Sequence, residues 1–146
     1  MPNRARVTVT TNRQRIQTDQ QRRARIRGNQ IGRAVVRAGK QECPVDEGNL
    51  RSSISHVVEV GTTSVKVIVG SPLPYAQFVH EGTGIYGPTG TPIRPVRAKN
   101  LKFRAGKGPK SKRQWVTVPQ VKGQKPNPFL VRALTAVMGA LAQRRG

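Results

Sequence analysis

The chain has 146 residues and carries 27 Lys and Arg against six Asp and Glu, a formal net charge of +21. This length suits one domain with its own core, and a charge of this size predicts anionic surroundings that relieve self-repulsion. The lone Cys43 excludes an intramolecular disulfide, so we expect a protein of a reducing compartment. No apolar run approaches the length of a membrane span, about 18 residues, so we expect a protein that works in solution.

The first 44 residues predict a short strand and a long helix. Residues 7–10 alternate apolar and polar types, which is typical of a strand. Apolar residues then recur at helical spacing: Ile31, Ala34, Val35 and Ala38. The helix is predicted to begin between residues 11 and 18 and to continue to about 41, before Cys43-Pro44 ends it. Two pairs would cap its start: Thr11 with Gln14, or Thr18 with Gln21.

The middle of the chain predicts a β-hairpin followed by a long loop. Segments 53–60 and 64–70 are rich in β-branched residues and are separated by Gly61-Thr62-Thr63. A further ordered segment begins at Leu73-Pro74-Tyr75 and runs through Val79. Residues 82–100 are rich in Gly and Pro, which predicts an extended loop.

The C-terminal part predicts two strands and a second helix. Segments 101–104 and 114–118 have strand composition and are joined by a very basic loop. Asn127 as N-cap and Pro128 in the first turn predict the start of an amphipathic helix of about 15 residues. The order of elements predicts an α+β fold, in which a small antiparallel β-sheet packs against the long N-terminal helix and the C-terminal helix, with long basic loops.

The segment PYAQFVHEGT, residues 74–83, raises the question of an active site because it places His80 beside Glu81. Adjacent residues of an extended chain point to opposite faces, and the sequence supplies no third catalytic group, so structural roles are favoured. We expect core rings from Tyr75 and Phe78, a positive φ at Gly82, a hydroxyl of Thr83 bonded to its own turn, and Glu81 paired with an arginine. No metal-ligand spacing or phosphate-binding glycine loop is present in the sequence, so no metal, cofactor or enzymatic activity is predicted.

Three segments, in this order and spacing, resemble one family. Residues 43–53, CPVDEGNLRSS, are similar to a helix-ending Pro-x-x-x-Gly-x-Leu-Arg-x-Ser motif, with Cys43 where alanine is usual. The box at residues 75–83 and the start PFLVRAL at residues 128–134 complete the pattern. Together they resemble the small neck, or tail-completion, proteins of long-tailed bacteriophages, which include head–tail connectors, minor tail components and morphogenesis proteins.

The resemblance implies a non-enzymatic virion protein of the neck, assembled in the host cytoplasm. It implies a homo-oligomeric ring of six or twelve copies that joins the capsid portal to the tail tube around double-stranded DNA, with portal-adaptor, tail-tube and other neck proteins as partners and no membrane. The residues expected to carry fold and assembly are Pro44, Gly48, Leu50, Tyr75, Ala76, Glu81, Gly82, Thr83, Pro128, Phe129 and Leu130.

The basic residues are unevenly distributed, which predicts two cationic arms on one domain spanning residues 1–146. Residues 1–40 hold eleven basic groups and one acid, and residues 94–125 hold eleven basic groups and no acid. We expect an arm at 1–15 and a long basic loop at 84–113 that contact DNA or acidic protein surfaces. The expected contact residues are Arg4, Arg6, Arg13, Arg15, Arg22, Arg23, Lys107, Lys110, Lys112 and Arg113. The same charge leaves an alternative open, a free nucleic-acid-binding protein that contacts phosphate backbones without sequence specificity.

Overall fold

A computed structural model describes residues 12–106 and 108–144 and confirms the α+β class. Four helices and four strands follow one another along this part of the chain: α1 (Arg13–Glu42), α2 (Asn49–Ser53), β1 (Ser55–Val60), β2 (Val65–Gly70), α3 (Tyr75–Glu81), β3 (Leu101–Ala105), β4 (Gln114–Val118) and α4 (Phe129–Gln143). Short 3-10 turns lie at Gly84–Tyr86 and Lys110–Lys112. The strand predicted at residues 7–10 lies outside the described residues.

Helix α1 has the predicted extent, but its N-cap is a residue that neither predicted pair includes. The N-cap is Asn12, whose side-chain oxygen accepts a hydrogen bond of 3.1 Å from the backbone N–H of Arg15. Thr18 lies inside the helix and donates from its hydroxyl to the Gln14 carbonyl, while Thr11 lies outside the described residues. The helix ends at Glu42 with Cys43 as C-cap, directly before Pro44, as predicted.

Buried glycines let α1 approach the elements that cover it. A Cβ atom added at Gly28 would lie 2.7 Å from Val58 Cγ1, and one added at Gly32 would clash with the His56 ring. At Gly39 an added Cβ would lie 3.2 Å from Leu130 on α4. These glycines carry little helix propensity, so their position on the covered face of α1 is explained by close packing rather than by local preference.

Strands β1 and β2 form the predicted hairpin, with antiparallel register that pairs Val58 with Val67. The side chains of β1 alternate between half-buried and exposed, as expected for a hairpin with one covered face. Its covered face lies on α1, where Val58 approaches Gly28. The opposite face carries the cross-strand pair Val57 and Ile68, which are 58% and 42% exposed.

The second pair of strands forms a separate two-stranded sheet, so the expectation of one small sheet is wrong in this respect. Strands β3 and β4 pair only with each other among the described residues, with Leu101 opposite Val118. The segments before β3 and after β4 also pair with each other, through an antiparallel bridge between Ile93 and Val121. The segment between α3 and α4 therefore folds back on itself instead of adding strands to β1 and β2.

The core lies where α1, α2 and α4 meet. Its buried members are Cys43, Leu50, Ile54 and Phe129, with half-buried residues around them. Phe129 is 1% exposed and is the largest fully buried side chain among the described residues. Burial raises the pKa of the Cys43 thiol, which suits a small core group rather than a nucleophile.

Helix α4 begins at Phe129, one residue later than predicted, with Pro128 as N-cap. Asn127 does not cap it, because its side-chain oxygen accepts a hydrogen bond of 2.6 Å from the Arg132 guanidinium. The predicted length of 15 residues is confirmed. No helix within residues 12–106 and 108–144 is long and apolar enough to cross a membrane.

Candidate assembly site

The three segments that carried the resemblance come together in the structure. Leu50 from the first, Ala76 from the second, and Phe129 and Leu130 from the third all belong to one packed cluster. The His80 ring meets Phe129 edge to face, with centroids 6.1 Å apart. These segments are far apart in the chain, but they meet at one place in the structure. The three motifs of the family resemblance therefore form a single junction.

The first segment forms a left-handed turn beside the second. Gly48 has φ 84° and precedes α2, which begins at Asn49. A Cβ there would be strained by the backbone angle alone, since no atom outside its immediate neighbours lies within 4 Å. Pro44, Gly48, Leu50 and Tyr75 line one groove of about 490 Å³. Four of the predicted signature residues thus share a surface.

The box at residues 75–83 is helical over most of its length, so the expectation of an extended chain at His80 and Glu81 is wrong. Glu81 forms no ion pair with an arginine of the described residues, and its Oε2 accepts a hydrogen bond of 3.1 Å from Gln77. The expectation that Tyr75 and Phe78 fill the core is also wrong, since they are 43% and 57% exposed. Ala76 and Val79 are the residues of this helix that pack against the core cluster, and Phe129 supplies its buried ring.

Gly82 and Thr83 fix the end of the box to the segment that leads into α4. Gly82 has φ 83° and ψ 176°, and a Cβ at this position would lie 2.8 Å from the Gln124 carbonyl oxygen. The predicted positive φ is therefore confirmed. The Thr83 hydroxyl accepts a hydrogen bond of 2.9 Å from the Gln124 N–H, and the Thr83 N–H donates to the Gln124 carbonyl at 2.9 Å. Thr83 thus bonds a distant segment rather than its own turn, which corrects the prediction.

The basic loop between β3 and β4 docks on the acidic turn after α1. Lys110 Nζ lies 2.8 Å from Glu47 Oε1, and the Arg113 guanidinium forms an ion pair with Asp46 through both of its terminal nitrogens. The hydrogen bond from Arg113 holds the pKa of the Asp46 carboxyl below its usual range. We call this contact the clasp. It engages two of the cations that were predicted to contact DNA or a partner.

The remaining predicted contact residues are distributed over several places. Arg13 and Arg15 lie in the first turn of α1, so the predicted arm at 1–15 extends three residues into a helix. Arg22 and Arg23 are exposed on α1, and Lys112 is exposed in the 3-10 turn of the basic loop. Three further predicted residues lie outside the described residues: Arg4, Arg6 and Lys107.

Large apolar side chains remain uncovered on several elements. Val131, Leu134 and Met138 are about half exposed and lie on one side of α4 at positions i, i+3 and i+7. We call them the α4 patch. The hairpin pair Val57 and Ile68 forms a second exposed apolar surface, the hairpin patch. Leu134, which belongs to the segment PFLVRAL of the family resemblance, therefore lies on an exposed surface and not in the core.

The accessible surface is larger than that of a closed monomer. The chain exposes 12095 Å², whereas a compact monomer of 16.0 kDa exposes about 7,400 Å². Fourteen residues lie outside the described ranges, and a fully extended chain of that length exposes about 2,200 Å². When this area is subtracted from the difference, about 2,500 Å² of excess surface remains. The described part of the chain therefore has an open shape with apolar groups that a monomer would leave in water.

Part of the sequence that forms this junction matches a known protein family. A family described as "Bacteriophage HK97-gp10, putative tail-component" matches residues 4–82, which is more than half of the chain. The chain belongs to this family. The match includes α1, the hairpin and α3, and it ends at Gly82, where the box meets the segment before α4.

Membership confirms the resemblance to bacteriophage structural proteins and makes the chain a tail-related component of the virion. The 83–146 region, with the clasp and α4, lies beyond the matched residues. No curated protein and no solved structure matches the chain. Within the described ranges, no three His, Cys, Asp or Glu side chains cluster as a metal site.

Proposed function

We propose that this HK97-gp10-like protein is a non-enzymatic subunit of the bacteriophage neck. Copies of it form a closed ring of six or twelve that joins the capsid portal to the tail tube around the DNA path. The observation that carries this proposal is the open apolar surface of a chain that belongs to a tail-component family. The signature residues serve the fold and the contacts between subunits, in place of a chemical reaction.

The size of the exposed surface suits a ring subunit. A standard interface covers about 800 Å² of each partner, so the excess of about 2,500 Å² accommodates two such interfaces per subunit. A ring requires two different faces on each subunit, one for each neighbour. The α4 patch and the hairpin patch lie on different elements and supply two such faces. We propose that the α4 patch of one subunit packs on the hairpin patch of the next.

The residues of the box support a structural role. His80 packs against Phe129, and Glu81 accepts its hydrogen bond from a neighbouring glutamine. Gly82 and Thr83 attach the box to the segment before α4. A rigid junction of this kind keeps the two proposed interfaces at a fixed angle, which is what ring closure requires.

Mass measurement of the purified chain tests the ring. Light scattering coupled to size-exclusion chromatography is expected to give six or twelve copies, and negative-stain electron microscopy is expected to show a ring with a central opening. A monomer at concentrations near 100 μM would overturn the proposal. The alternative, a free nucleic-acid-binding protein, predicts such a monomer together with DNA binding.

A pair of matched variants tests the interface itself. Leu134→Glu places a charge in the α4 patch and is expected to dissociate the ring while far-UV circular dichroism stays unchanged. Ala136→Glu adds the same charge to an exposed position on another side of α4 and is expected to leave the ring intact. If both variants assemble equally well, α4 is not an interface.

A test of the proposed position in the virion requires phage particles. Phage that lack this protein are expected to accumulate filled heads and complete tails that do not join, and the purified chain is expected to restore joining in extracts. Joined particles without the protein would exclude the proposed place at the neck.

A further inference from the structure

A basic cleft lies between the C-terminal half of α1 and the start of β1. Its volume is about 640 Å³. Its cations are Arg33, Arg37 and Lys40 from α1 and Arg51 from α2, and its floor includes Val36 and Ile54. Ser55 and His56 complete one wall and add polar hydrogen-bonding groups. None of these cations was among the contact residues predicted from the sequence.

Carboxylates do not neutralise this cleft. No acidic residue lines it, and the ion pairs among the described residues leave out all four of its cations. The nearby acids are engaged elsewhere: Glu42 with Arg132, Asp46 with Arg113, and Glu47 with Lys110. The clasp therefore pairs two acids with two cations and leaves the cleft as a region of uncompensated positive charge.

The cleft continues along α1 as a basic stripe. Eighteen residues make about five helical turns, so Arg15 lies on the same side of α1 as Arg33, and Arg22 on the same side as Lys40. The stripe is about 38 Å long. Asp19 lies within its N-terminal half and reduces the positive potential there, so the strongest uncompensated charge is at the cleft.

A linear polyanion fits a cleft that continues as a stripe better than a small ligand does. Acidic protein partners are anchored mainly by aromatic and apolar contacts at the centre of an interface, and the cleft offers only two aliphatic side chains. Single-stranded nucleic acid requires stacking aromatics, and the residues that line the cleft include no Phe, Tyr or Trp. Arginines in a row, with no stacking partner, are typical of contact with the phosphates of a duplex.

We propose that this cleft binds the phosphate backbone of double-stranded DNA, without reading its sequence. Arg33 and Arg37 lie one helical turn apart and contact neighbouring phosphates, and Arg51 approaches from α2 on the other wall. The site is distinct from the α4 and hairpin patches, so DNA contact and ring assembly are separable properties of the chain.

A salt titration of DNA binding tests the cleft. Fluorescence anisotropy with a 20-base-pair duplex of arbitrary sequence gives the slope of log K against log salt. The variant Arg33→Gln/Arg37→Gln is expected to reduce the magnitude of this slope by about 1.8 and the affinity at 0.1 M salt by about 60-fold, since each phosphate contact contributes about 0.9 to the slope.

The matched control is Arg23→Gln/Arg27→Gln. It removes two exposed arginines one turn apart on the same helix, neither of which lines the cleft. We expect a change in affinity of less than fivefold. Equal losses in both double variants would show binding by overall charge and would overturn the proposal.

A second titration separates DNA from an acidic protein partner. A polyglutamate peptide of the same charge as the duplex is expected to bind at least tenfold more weakly, and its affinity is expected to be insensitive to Arg33→Gln/Arg37→Gln. Tighter binding of the peptide through the same two arginines would assign the cleft to an acidic protein. Mass measurement of each variant is expected to give the same oligomer as the unchanged chain, so failure of DNA binding and failure of the ring are read separately.

Discussion

Replacing Gly82 by alanine tests the physical basis of the junction. The combination of φ 83° and ψ 176° is open almost only to glycine, and it costs other residues about 1–3 kcal/mol. The added Cβ would also lie 2.8 Å from the Gln124 carbonyl oxygen and 2.9 Å from the Pro126 nitrogen, and relief of such crowding costs about 1–3 kcal/mol. Alanine restricts the unfolded chain, which offsets about 0.4–1 kcal/mol. We expect Gly82→Ala to reduce the free energy of unfolding by about 2–5 kcal/mol.

Urea denaturation followed by circular dichroism measures this loss, and calorimetry is expected to show a Tm lowered by about 5–15 °C. The matched control is Gly90→Ala, because Gly90 also has a positive φ, 62°, but an added Cβ there has no atom within 4 Å. We expect the control to lose only about 1 kcal/mol, from backbone strain alone. If the two variants lost equal stability, the close approach of Gly82 to the segment before α4 would have no energetic importance.

Three further changes probe the core, the clasp and the start of α1. Phe129→Ala removes the fully buried ring and is expected to cost about 3–5 kcal/mol of unfolding free energy by urea denaturation. Asp46→Asn removes the negative charge and one of the two oxygens that accept from Arg113, and it is expected to speed amide hydrogen exchange in the loop between β3 and β4. Because the folded pKa of Asp46 is lowered, its contribution in the unchanged protein is complete above the ordinary pKa of about 3.9 and is lost as pH falls through the lower folded value. Asn12→Ala removes the helix cap and is expected to cost about 1 kcal/mol, seen as faster exchange in the first turn of α1.

Each of these changes has a control. Phe103→Ala, at a ring that is 38% exposed, should cost clearly less than Phe129→Ala, and an equal cost would contradict the placement of the core. Exchange in the loop of Asp46→Asn should no longer respond to pH near Asp46's folded pKa, and an unchanged response would assign the effect to another group. Asn12→Asp keeps a capping oxygen and should retain the protection that Asn12→Ala loses.

Helices α1 and α4 and the two hairpins were predictable because their patterns are local. The apolar spacing in α1, the helix end at Cys43-Pro44 and the β-branched segments on either side of Gly61 depend on neighbours in the chain, and each led to the observed element. The positive φ of Gly82 was predictable for the same reason. The order of three short motifs sufficed to predict a bacteriophage family, and the match over residues 4–82 confirms it.

The errors arose where contacts join distant segments. Asn12 and Thr18 are both capping residues by type, and only the backbone at the helix start decides between them. Tyr75 and Phe78 have core chemistry, but a helix of seven residues turns them outward while Phe129, more than forty residues later, fills the space. The two hairpins could have formed one sheet by composition, and the structure leaves them as two separate two-stranded sheets.

The sequence by itself determined the large positive charge, the alternation of helices and hairpins, and the family. Only the tertiary structure decided which cations remain uncompensated, because Lys110 and Arg113 meet acids more than sixty residues away while Arg33 and Arg37 meet none in the described part of the chain. Charge is a property of composition, whereas its neutralisation depends on which groups folding brings within a few ångströms. The same reasoning explains the buried glycines of α1, whose small size matters only because another element packs against them.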